Sequence, residues 1–150
     1  MKKFFSLLLV FVLLVTNICL ISSCKNKGSD CLVFELNEDG ETCTLVGFQN
    51  CMEMDLVIPE KFKGKKVVSI GANAFPEMLQ SVKIPKSIVE ISEDAFSNCE
   101  NPITIYFAGS IQQWSDILEA HSVPLNTKVI CSDGTIFHAL WGWADESYMK

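Results

Sequence analysis

The chain has no arginine: its 12 basic residues are all lysine, set against 18 aspartates and glutamates, for a formal net charge of −6. Phosphate backbones reward clustered cations, and bidentate reading of phosphates and guanines depends on a planar guanidinium. Nucleic acid is therefore excluded as an expected partner. Histidine is almost as scarce, with two copies at His121 and His138, too far apart in sequence to suggest a metal site. There are seven cysteines but no CxxC pair, so neither a zinc ribbon nor a thioredoxin-like site has support. Walker-type loops, GxSxG elbows and HExxH helices are missing as well. Beyond the first 23 residues there is no apolar run long enough to cross a bilayer.

What is present begins with that leader. Met1-Lys2-Lys3 precedes residues 4–15, which are Leu, Val and Phe apart from Ser6, and the stretch exits through Leu20-Ile21-Ser22-Ser23-Cys24. A short basic region, an apolar core and a small-residue exit read as an export signal, with an uncleaved spanning anchor over the 18 residues from Phe4 to Ile21 as the alternative. Ile21-Ser22-Ser23-Cys24 resembles a bacterial lipobox, which implies a thioether to diacylglycerol on Cys24 and cleavage just before it. Residues 1–23 are then a lipoprotein signal peptide and residues 24–30, which include Lys25-Asn26-Lys27-Gly28-Ser29-Asp30, a polar tether of at most about 20 Å. Two or three acyl chains suffice for stable membrane attachment without a spanning helix. Loss of Lys2 and Lys3 leaves 10 basic and 18 acidic residues, a net charge of −8.

The rest of the chain is organised by repetition. Val67, Ile70, Ala74 and Phe75 recur 21 residues later as Ile88, Ile91, Ala95 and Phe96, and Val82 and Ile84 recur as Ile103 and Ile105. Ile58-Pro59 recurs at Ile84-Pro85 with a longer offset of 26, which places a loop insertion around Phe62-Lys63-Gly64-Lys65-Lys66. Each copy reads as a short strand of alternating apolar residues, a proline corner, a second short strand and a turn. Ser92-Glu93-Asp94 before Ala95-Phe96 suggests an N-cap and acidic first turn of a short helix or 3₁₀ segment. Units this small cannot bury an apolar side alone, so they must stack into a solenoid.

The segments Val67-Val68-Ser69-Ile70-Gly71-Ala72-Asn73-Ala74-Phe75 and Ile84-Pro85-Lys86-Ser87-Ile88-Val89-Glu90-Ile91-Ser92-Glu93-Asp94-Ala95-Phe96-Ser97-Asn98-Cys99 resemble the BspA-like, treponemal type of leucine-rich repeat. The repeated Ile-Pro, the Ala-Phe and the closing Cys99 carry the resemblance. Residues 34–48, turning at Asn37-Glu38-Asp39-Gly40, resemble the opening β-hairpin of such domains. Tyr106-Phe107-Ala108-Gly109-Ser110-Ile111-Gln112-Gln113-Trp114, with Cys131-Ser132-Asp133-Gly134-Thr135-Ile136, resembles their closing segment. The expected fold is α/β to mainly β: a short right-handed leucine-rich-repeat solenoid with parallel strands, capped by β-hairpins. Residues 31–55 are the expected N-terminal hairpin cap, 56–118 the repeats, and 119–150 the C-terminal cap and tail.

Candidate sites are few. With Cys19 removed and Cys24 acylated, Cys31, Cys43, Cys51, Cys99 and Cys131 remain. Cys31 and Cys51 are candidates for a disulfide on proximity across the hairpin alone, and Cys99 reads as a small buried apolar residue. A nucleophile would need Cys131 near His138 with Asp133 as orienting carboxylate, but Asp133-Gly134 reads as a hairpin turn that consumes the aspartate. The acid pairs Glu38-Asp39, Glu93-Asp94 and Asp145-Glu146 are sequence neighbours at turns, caps or a tail, unlike carboxylates that face each other across a cleft. Lys61, Lys63, Lys65 and Lys66 form a basic cluster that reads as a solvated hairpin tip, with lipid headgroups or an anionic glycan as the alternative. No catalytic residue, metal or cofactor is expected.

Lys83 and Thr104, at outward strand positions, are the candidate binding residues on the sheet face that the family is thought to use. Trp141 and Trp143 are further candidates in the aromatic run Ala139-Leu140-Trp141-Gly142-Trp143, which either caps the core or forms an exposed patch. Trp114 belongs to the closing motif and reads as core. The resemblance implies a non-catalytic interaction or adhesion module on the bacterial cell envelope, at the outer membrane or cell surface. Its partner would be a host matrix protein or another envelope protein. The alternative is a periplasm-facing accessory lipoprotein docked on an envelope complex.

Overall fold

The computed structural model describes residues 29–50, 52–117, 123–139 and 142–145. The expected signal, Cys24, most of the tether, Cys51, His121 and Trp141 lie outside them. None of the helices among the described residues is long and apolar enough to cross a membrane.

The N-terminal hairpin forms as its alternation predicts. β1 (Leu32–Leu36) pairs antiparallel with β2 (Thr42–Phe48), Leu36 opposite Cys43, with a bulge between Val33 and Phe34. Asp39 builds its turn by accepting the Glu41 and Thr42 amides at 2.8 and 2.9 Å and the Thr42 hydroxyl at 2.6 Å, while Gly40 takes a left-handed φ of 67°. These bonds favour the carboxylate and hold the Asp39 pKa below its usual value, the Thr42 hydroxyl contributing most.

Next come β3 (Asp55–Val57), β4 (Lys61–Phe62) and β5 (Lys65–Ile70). The insertion expected as a loop is a tight hairpin: Lys63 and Gly64, at φ 49° and 82°, make a two-residue turn between β4 and β5. This puts Lys63 at the tip. Lys65 forms an ion pair with Glu41 at 3.6 Å. Phe62 stacks on Phe34 with ring centroids 4.6 Å apart and closes one end of the core.

The remaining strands among the described residues are β6 (Ser81–Ile84), β7 (Glu90–Ile91), β8 (Thr104–Phe107), β9 (Lys128–Cys131), β10 (Gly134–Ala139) and β11 (Gly142–Asp145), with a short helix, α1 (Ile111–Ile117), between β8 and β9. β2, β5 and β7 stack in parallel to form one sheet, with β1 and β4 at its margins. β3, β6, β8 and β9 stack in parallel to form the other, which β10 and β11 extend as antiparallel hairpins. A mainly β solenoid of about three turns results, with one hydrophobic core between the two sheets. Leu45, Val67, Ile70 and Ile91 enter it from the first sheet, and Leu56, Val82, Ile105 and Val129 from the second.

The repeat spacing holds in one half of each unit and shifts in the other. Ile70 pairs with Ile91, the Ala74 amide donates to the Ala95 carbonyl at 3.1 Å, and Phe75 stacks on Phe96 at 4.6 Å, all 21 residues apart. Val82, however, pairs with Ile105 and Ile84 with Phe107, a spacing of 23 where 21 was expected. Glu100, Asn101 and Pro102 lengthen the turn before β8, and a slip of two residues preserves the inward face, so the apolar pattern disguises it. Ser92 does not start a helix: the Ala95 amide bonds its carbonyl at 3.0 Å within consecutive turns.

Candidate functional site

The parallel register of the second sheet aligns its outward side chains in two rows. One contains Asp55, Ser81, Thr104 and Lys128, and the other Val57, Lys83, Tyr106 and Ile130. Strands demand this alignment, since side chains alternate between core and solvent at each step. Lys83 and Thr104, singled out from sequence, both point outward but stand in different rows, because the spacing of 23 sets Lys83 beside Tyr106. Tyr106 is 41% exposed and Val57 38%. Sequence reasoning missed Tyr106, Lys128 and Ile130. The unbroken alternation from Ile103 to Phe107 was the signal that β8 runs on past Ile105.

A groove of about 390 Å³ crosses the carboxyl ends of these strands, bordered by Lys83, Pro85, Tyr106, Ala108 and Ile130 with Cys131 at its floor. Apart from the lysine and the phenol, that border is apolar. Lys83 is exposed. Lys128 extends over the Phe137 ring, its Nζ 5.7 Å from the centroid. Asp55, the carboxylate on the facing rows of β3, β6, β8 and β9, accepts the Ser81 hydroxyl at 2.5 Å at the edge of the sheet.

The C-terminal hairpin continues the sheet beside this face. Ser132 and Asp133 form the turn between β9 and β10, one residue earlier than Asp133-Gly134, since Cys131 pairs with Gly134. Asp133 is used elsewhere: its Oδ1 accepts the Ile111 amide at 2.8 Å and caps α1. Cys131 is buried, and desolvation, then the Asp133 charge, pushes its thiol up to about 11. His138 lies four residues beyond Gly134, roughly 13 Å along β10, buried with Nδ1 3.3 Å from the Pro124 carbonyl and its ring against Trp143. The structure thus holds the base away from the thiol and the carboxylate, which a nucleophilic site would need together.

Trp143 is half-buried and meets Trp114 edge to face at 6.2 Å, on the core side of the hairpin. Trp114 is fully buried, as its motif suggests. Cys99 is buried as well, its Sγ donating to the Pro76 carbonyl at 3.6 Å, and desolvation raises its pKa to about 11. Cys31 is disulfide-bonded. Cys51, the partner that the hairpin suggests, lies outside the described residues. Among the described residues no group of His, Cys, Asp and Glu is arranged to hold a metal.

The family pattern described as a BspA type leucine rich repeat region (6 copies) matches residues 44–122, just over half of the chain. The protein belongs to the BspA-type leucine-rich-repeat family. Among solved structures, a T. pallidum leucine-rich repeat protein is similar at 17% identity and a TM-score of 0.47, over 71% of this chain and 54% of that one. The chain thus spans about half the length of that relative. No curated protein matches the sequence. Leucine-rich-repeat domains commonly mediate protein–protein binding and are typically without catalytic activity.

Proposed function

We propose that this protein is a lipid-anchored bacterial envelope protein whose repeat domain serves at the cell surface as a non-catalytic interaction and adhesion module. The observation that carries the reading is the outward face of the second sheet, where a parallel ladder sets an exposed tyrosine, two lysines and an apolar groove side by side. The Ile21-Ser22-Ser23-Cys24 sequence supports the anchor, with Cys24 as the acylated residue. A face four strands wide is smaller than a standard interface of about 800 Å² per partner, so each contact is weak and surface display adds avidity.

Two measurements on the protein in its own cells test this reading. Intact mass should equal residues 24–150 plus acyl chains, and a Cys24→Ala variant should lose the acyl mass. External protease should remove the domain from intact cells. A mass of all 150 residues refutes the anchor, and protection of the domain until the envelope is permeabilised refutes surface display in favour of a periplasm-facing accessory role.

A further inference from the structure

Charge distribution narrows the class of partner. The chain carries a net charge of −6, yet the outward rows of β3, β6, β8 and β9 bear the exposed Lys83 and the half-buried Lys128 against a single acid, Asp55, which is already hydrogen-bonded at the edge strand. Lys83 and Lys128 flank Tyr106 on a diagonal, two strands and two residues apart, which is roughly 12 Å between Cα atoms. An extended chain advances about 13 Å over four residues, and residues i, i+2 and i+4 share one face. The groove lies in the same region, and its 390 Å³ suits one or two side chains and not a large cofactor.

We infer that this face binds an extended acidic segment of a partner protein. Carboxylates at i and i+4 meet Lys83 and Lys128, and the apolar or aromatic side chain at i+2 packs on Tyr106 and Ile130 at the edge of the groove. The inference rests on the reading of the domain as an interaction module, and it does not depend on the anchor or on surface display. Lysine suits such a partner: an ammonium group on a flexible stem attracts a carboxylate without requiring the planar fork of arginine.

The test is selection of random twelve-residue peptides displayed on phage against the full chain, solubilised from its own cells in detergent and immobilised. The enriched pool should carry Asp or Glu four residues apart around a central apolar or aromatic residue. Tyr106→Ala should lower recovery at least tenfold. The double variant Lys83→Glu with Lys128→Glu should turn the selection toward Lys- and Arg-containing peptides. Lys63→Glu, on the β4–β5 hairpin, should leave it unchanged, and matching circular dichroism spectra will show that the variants are folded. The inference is overturned if no peptide is enriched, if the double reversal selects the same acidic pool, or if Lys63→Glu abolishes recovery. It is also overturned if the chain sediments as a dimer that the double reversal dissociates, since the face is then a self-contact. Acidic selection from a protein that external protease cannot reach keeps this assignment and removes surface display.

Discussion

Truncating either ring of the Phe75–Phe96 pair should break the coupling between successive turns of the solenoid. Phe75 is 0% exposed and Phe96 2%, and their rings are stacked at 4.6 Å with 19° between planes. Removing a buried phenylalanine costs about 3–5 kcal/mol through lost transfer energy and the cavity left behind. A domain of this size has roughly 5–15 kcal/mol in all, so Phe96→Ala removes a large share. Midpoint temperature should fall by roughly 10–20 °C. The second truncation enlarges a cavity that already exists, so the sum of Phe75→Ala and Phe96→Ala should exceed the double variant by about 1 kcal/mol. Urea unfolding under non-reducing conditions, followed by far-ultraviolet circular dichroism and tryptophan fluorescence, measures all three. Because Trp114 reports from the far end of the same core, both probes should shift together. A single-variant loss below about 1 kcal/mol, or strict additivity, would falsify the stacked-turn account.

Other perturbations probe the C-terminal half. A methyl group on Gly109 would lie 2.5 Å from Phe107 Cε1 and 2.6 Å from Gln113 Oε1, so Gly109→Ala should cost about 1–3 kcal/mol in denaturant unfolding. Asp133→Ala removes the acceptor of the Ile111 amide and should cost about 0.5–2 kcal/mol, while Asp133→Asn should retain most of it. Cys99 and Cys131 have folded pKa values raised from 9.0 to about 11. Their contribution to stability is therefore complete below pH 9 and lost as pH rises from 9 to 11, on the order of 2 kcal/mol per thiol. Stability measured across pH 8–11 should fall and a Cys99→Ala, Cys131→Ala double variant should flatten the decline. In native protein at pH 8, a thiol reagent should label neither residue, and rapid labelling would show that the burial is wrong.

Where one residue type repeats against itself, the sequence was a sufficient guide. Ala74, Phe75, Ala95 and Phe96 announce stacked turns, and Ile70 and Ile91 announce the strand pair beside them, because identical side chains at one spacing can only face one another in a stack. The hairpin at Asn37-Glu38-Asp39-Gly40 was legible from its turn chemistry. The offset of 26 between the Ile-Pro pairs gave the register of β3 on β6, but that of β6 on β8 was not legible, since Ile103, Ile105 and Phe107 all face inward and any even slip satisfies the hydrophobic pattern. That slip decides which residues share the outer face, so the same ambiguity hid Tyr106 from the candidate site. Asp133 was read correctly as a turn residue, but its cap on α1 was hidden: its partner Ile111 is 22 residues away, and no local rule connects a turn to the helix that packs on it.

The two ends of the parallel ladder are not equivalent. β9 is followed at once by two antiparallel strands, whereas β3 has β6 as its sole ladder neighbour among the described residues. Between these ends every turn contacts only the turn before and the turn after. A further copy inserted between β7 and β8 would leave the hairpins at both ends intact and widen the outer face by one strand, about 4.8 Å. The reach of the binding surface is thus set by a count of copies rather than by redesign of the core, and a change of partner size requires only duplication.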